Sequence, residues 1–122
     1  LSYNFIYHNQ YSDVIRGYWE TPTPTENDDG SISLPASNFW WQGQKYPVEE
    51  LPAGTWFPRD GDKVYIEFDP EDNTKMIYHI IQQDSVDDYT PLSGDKTSSP
   101  GAMIWVEGNN IHLIKHLGMQ TS

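Results

Sequence analysis

One hundred and twenty-two residues is the size of a single domain, spanning 1–122, large enough to bury one core without disulfides or metal and too small for two. Eighteen Asp and Glu against seven Lys and Arg leave a formal charge of −11, which repels phosphate backbones and anionic lipid surfaces and sets aside general nucleic-acid binding. The lack of Cys removes disulfides, thiolate catalysis and Cys-based zinc sites together.

Five Trp, eight Tyr and four Phe within only 36% hydrophobic residues mean that much of the apolar area comes from amphipathic rings, which suit a sheet better than a helical bundle. Nine Gly and nine Pro, scattered through the chain, mark many turns and few long helices. The acids are dispersed, as on a solvated surface. No stretch approaches the length of an apolar membrane span, and no charged-then-apolar signal segment opens the chain. A start at Leu1 points to a processed precursor or an internal beginning.

Leu1 to His8 alternates Tyr3, Phe5 and Tyr7 with Ser2, Asn4 and Ile6, which predicts a first strand. Val14, Ile15, Tyr18 and Trp19 would also suit one face of a short helix, but Gly17 and the β-branched and aromatic content of Asp13 to Glu20 favour a strand with a bulge. Thr21 to Gly30 is polar, Pro-rich and ends in Asp-Gly; it reads as a long exposed loop. Ser31 to Leu34 is a short strand.

Phe39-Trp40-Trp41-Gln42-Gly43 concentrates aromatic area before a turn. In a strand these rings alternate sides, so at least one is core, and one facing outward can serve a ligand or protein contact. Tyr46 to Gly54 reads as a Pro-bounded connection holding one helical turn at most.

Val64, Ile66 and Phe68 alternate with Lys63, Tyr65 and Glu67, the period-2 signature of a strand with one buried face. Asp60-Gly61-Asp62 and Asp69 to Thr74 supply turn chemistry on either side, and Lys75 to Ile81 is the return strand of a central hairpin. Val64, Ile66 and Phe68 should face the core with Met76, Tyr78 and Ile80, or with Ile77 and Ile81 in the register one residue away. Full burial of Phe68 implies a loss of about 3 to 5 kcal/mol on truncation to Ala. Asp84 to Gly101 is a second long loop, a candidate contact segment. Ala102 to Glu107 and Ile111 to Leu117 flank Gly108-Asn109-Asn110 as a second hairpin. The fold class is all-β: a small antiparallel β-barrel, OB-like, or a β-sandwich with long loops.

No motif for catalysis stands in the chain: there is no Gly-x-Ser-x-Gly elbow and no Gly-rich phosphate loop. The acids from Asp69 lack the Gly and the bidentate Glu of a calcium hand, with Thr74 and Ile80 in those places. A looser cation site on these acids, or on Asp87 and Asp88, is the remaining metal option. His112 and His116 on a strand would lie about 13 Å apart, too far to share an ion, and read as surface histidines; His79 reads as a solvent-face or partly satisfied residue. No carboxylate spacing marks a glycosidase pair. The sequence implies no enzyme, no cofactor and no metal.

Trp56-Phe57-Pro58-Arg59-Asp60-Gly61-Asp62-Lys63-Val64-Tyr65-Ile66-Glu67-Phe68, followed by an acidic turn and Ile77-Tyr78-His79-Ile80-Ile81, resembles the middle of the OB-fold domain of central spike and baseplate-hub proteins of contractile phage tails. The aromatic stretch around Trp40 and the loop through Ser99 have no counterpart in that pattern. The resemblance implies a non-enzymatic module packed against copies of itself or neighbouring virion or tail proteins, within a virion or extracellular particle. On this reading Trp40, Trp41, Trp56 and Trp105 are the candidate binding residues, serving protein contacts. Two alternatives use other chemistry: a carbohydrate-binding β-module stacking sugar on exposed Trp, and an acidic inhibitor that mimics nucleic acid.

Overall fold

A computed structural model describes residues 2–9, 14–82, 92 and 100–119, with the backbone alone described at 14–16 and 117–119. Eleven strands and no helix occur among them: β1 Asn4–His8, β2 Val14–Glu20, β3 Thr25–Glu26, β4 Ile32–Ser33, β5 Ser37–Trp41, β6 Gln44–Val48, β7 Lys63–Asp69, β8 Asp72–Ile81, β9 Gly101–Glu107, β10 Asn110–Ile114 and β11 His116–Met119. Nine form one sheet in the order β1-β10-β9-β7-β8-β6-β5-β2-β11, and β3 with β4 forms a small separate ribbon. The all-β expectation holds. The pairing is mostly antiparallel, but β1 with β10 and β6 with β8 run parallel.

The sheet curls toward a barrel because β10 and β11 are one stretch interrupted only at Lys115, yet they serve nearly opposite ends of the strand order. At the join the Lys115 N–H donates to the His8 carbonyl at 3.1 Å, and the Lys115 carbonyl accepts from the Trp19 N–H at 2.8 Å. β1 and β2 therefore meet end to end against a single residue.

The central hairpin takes the first of its two expected registers, with Val64 opposite Ile80, Ile66 opposite Tyr78 and Phe68 opposite Met76. Val64, Ile66 and Met76 are fully buried among Trp19, Ile32, Phe39, Met103, Ile104 and Leu113. Phe68 is only half-buried, its ring edge-on to Tyr46 with centroids 4.9 Å apart. The outward parity fails at one point: Glu67 is 2% exposed. Tyr78 is packed against the core, and burial raises its phenol to about 12 against the weaker opposing pull of Ser37.

Three expectations are corrected. Residues 21–30 are a loop only in part: Thr25–Glu26 pairs with Ile32–Ser33, Pro24 is buried, and the Asn27 side chain donates to the Ser31 carbonyl at 3.1 Å. Gln44–Val48 is a strand, not a connection. Gln42 and Gly43 both have positive φ, 52° and 83°, as a two-residue hairpin turn requires. Alternation from that turn puts Pro47, opposite Asn38, at a pair that needs no N–H from it. His112, read as a surface residue, is 12% exposed. The strand with a bulge around Gly17 is observed, the register of β2 and β11 shifting between Leu117 and Gly118. Asp87, Asp88 and most of the segment 84–101 lie outside the described residues.

Candidate functional site

The strand parity that sends Ile66, Leu113, Trp19 and Phe39 inward sends their neighbours to the outer surface of the sheet. Three groups of side chains gather there.

The first lies on β9, β10 and β1. Trp105 stands opposite His112 in register, and the rings stack with centroids 4.5 Å apart and an angle of 5°. His8 Nε2 and His112 Nδ1 share a hydrogen bond of 2.8 Å, one ring donating and the other accepting. On its other side His112 Nε2 lies 3.4 Å from the Glu107 carboxylate. His8 leans against the same indole, 5.0 Å away. Trp105 is thus one face of an indole–imidazole cluster.

The second crosses β11, β2, β5 and β6, where His116, Tyr18, Trp40 and Lys45 occupy successive register positions. Trp40 is 38% exposed. Its Nε1 donates to Glu20 at 3.0 Å, and the Lys45 ammonium lies 5.9 Å from its ring centroid. That indole bond, followed by Asn38 and the Lys45 charge, holds the Glu20 carboxyl below its ordinary range. The Tyr18 and His116 rings are 5.0 Å apart.

The third is the buried Glu67, which accepts from His79 and, at 3.0 Å, from the Leu92 N–H. Desolvation, and secondly the Glu67 charge, raises the neighbouring Tyr65 phenol. A buried carboxylate is costly unless its oxygens are bonded, and these bonds let Glu67 remain under cover.

Of the four candidate tryptophans, Trp40 and Trp105 reach this surface. Trp41 and Trp56 do not, at 4% and 3% exposed. Trp41 is paired with Gly17, inside against Phe39, and the Trp56 Nε1 donates to the buried Asp62 at 3.2 Å. Neither ring is open to a sugar or a neighbour. Tyr18, Glu20, His8 and Glu67 escaped the sequence reading; parity alone placed Glu67 outward, and the partners of the others come from distant strands. Among the described residues no three His, Asp or Glu gather as metal ligands. A cleft also lies between Trp56, Phe57 and Arg59 on one side and Ile80 and Ile81 on the other.

No protein-family model and no curated protein matches the chain. Among solved structures, the crystal structure of the gene 22 product of the Bacillus subtilis SPP1 phage is similar to it, with a TM-score of 0.57 and 12% identity over 97% of this chain and 100% of that one. At so low an identity the likeness shows a shared fold.

Proposed function

We propose that this chain is a structural or assembly module of a virus particle or phage tail-like machine, which works through protein contacts and catalyses nothing. The observation that carries the reading is the fold shared, end to end, with a phage gene product. The narrower position, an OB-fold module of a central spike or baseplate hub contacting copies of itself or tail neighbours, belongs to the same proposal on the strength of the Trp56 to Phe68 stretch.

The Trp105 cluster supports it physically. An indole and two imidazoles tied to one another present a preorganised patch that loses little side-chain entropy on contact. The test is immunogold electron microscopy of particles from the organism that encodes the chain, with light scattering of the purified protein. The expected result is labelled particles, with Trp105→Ala lowering incorporation. Absence from particles, together with a monomer at high concentration, overturns the proposal.

A further inference from the structure

Around Trp40 the outer surface is a grid of six side chains with a chemistry distinct from that of the Trp105 cluster. Tyr18, Trp40 and Lys45 form one row across β2, β5 and β6, and Glu20, Asn38 and Pro47 form the next. Strand spacing makes the grid about 10 Å wide, and two residues of strand separate its rows by about 7 Å. We infer that this grid binds a neutral saccharide, about two pyranose rings long, with Trp40 at its centre.

A pyranose offers patches of C–H for aromatic rings and pairs of hydroxyls for planar polar groups. The grid supplies both. Trp40 is exposed although its chain neighbours Phe39 and Trp41 are buried, and Tyr18 stands directly opposite it. The Trp40 Nε1 bond to Glu20 fixes the indole beside a carboxylate whose remaining lone pairs accept from hydroxyls. Asn38, paired with Glu20, can donate and accept, and Lys45 donates. The indole bond favours the charged form of Glu20, which keeps it an acceptor.

Charge decides among ligands with flat faces. A nucleic acid or an anionic polysaccharide meets Glu20 within the grid and a chain of net charge −11, both repulsive. A protein partner would want an apolar centre depleted of charge, whereas Glu20 and Lys45 flank Trp40 itself. A neutral sugar meets neither objection.

The test is titration of the full chain with cellotetraose, mannotetraose and N-acetylglucosamine tetrasaccharide, followed by backbone amide NMR, with polygalacturonate as the anionic comparison. The expected result is saturable binding of at least one neutral tetrasaccharide, with shifts confined to β2, β5 and β6. Trp40→Ala should weaken it about tenfold or more, as loss of a stacking ring does elsewhere; Tyr18→Ala and Glu20→Gln should weaken it less. Trp40 points outward, so an unchanged amide spectrum away from the grid shows that the variant is folded. No saturable binding by any of the three, binding that Trp40→Ala leaves intact, or preference for polygalacturonate would overturn the inference.

Discussion

Gly17 lies so close to Phe39 that a β-carbon added to it would sit 2.8 Å from Cε1 of the ring, and 3.0 Å from Cε3 of Trp41. Both rings are buried, so neither can swing into solvent. Gly17→Ala should destabilise the protein by about 1 to 3 kcal/mol through overpacking, measured by urea denaturation. Phe39→Leu in the same chain should recover part of the Gly17→Ala loss. An alanine variant as stable as the parent would show that the two strands can separate at no cost.

Glu67 joins β7 to β8 and to Leu92 through one carboxylate. Glu67→Ala leaves the Leu92 N–H without that acceptor and should cost about 1.5 to 3 kcal/mol, the range for a hydrogen bond to a charged group. Glu67→Gln keeps a carbonyl oxygen and should cost less. Hydrogen exchange at the Leu92 amide should accelerate in both variants, more in the alanine one.

Ile66 and Phe68 share a face of β7 but differ in cover. Ile66→Ala should cost about 2 to 5 kcal/mol, the core range, and Phe68→Ala less than the core range for Phe, because Phe68 keeps part of its surface in water. Denaturation curves of the two variants rank them directly. Equal and large losses would mean that Tyr46 seals Phe68 more completely than its half-burial indicates.

Alkali should find Tyr78. Its phenol ionises at about 12 in the folded chain against 10.0 ordinarily, chiefly because burial opposes the charge. Since the folded pKa is the higher one, the stability it carries is whole below pH 10 and is lost as pH rises through 12. At about 1.4 kcal/mol per unit the loss reaches roughly 3 kcal/mol. Tyr78→Phe should flatten that part of the stability curve; if its alkaline fall matches that of the parent, Tyr65 and Tyr7, whose phenols burial also raises, carry the effect instead.

Residues 21–30 should resist limited proteolysis as well as the hairpins do. The β3–β4 ribbon, the buried Pro24 and the Asn27 bonds hold the segment. Early cuts there, mapped by mass spectrometry, would contradict the ribbon.

What could be read from residue order is what local periodicity encodes. Val64, Ile66 and Phe68 announced both their strand and their side, and Gly108 its turn. Periodicity also splits Phe39, Trp40 and Trp41 into two faces without saying which face is covered; the pairing of Trp41 with Gly17, far off in the chain, decides it. Pro47 hid a strand because Pro is disqualifying only where an N–H is needed, and that depends on the partner across the turn. Glu67 was misjudged because its cover arrives from His79 and Leu92. Nor could any local pattern foresee the bond between His8 and His112, 104 positions apart.

The continuous stretch interrupted at Lys115 has a consequence for the order of folding. Its first half must find β9 and β1, and its second half β2, so the sheet cannot curl shut until β10 and β11 are available. Asn4 waits for Asn110, 106 positions later. On a ribosome β1 emerges long before β10, the strand it pairs with, whereas β2 finds β5 soon after it is made and waits only for β11. Closing so long a loop is entropically slow, and β1, with Phe5 lacking its partner Ile111 until β10 arrives, is the strand that most needs shielding.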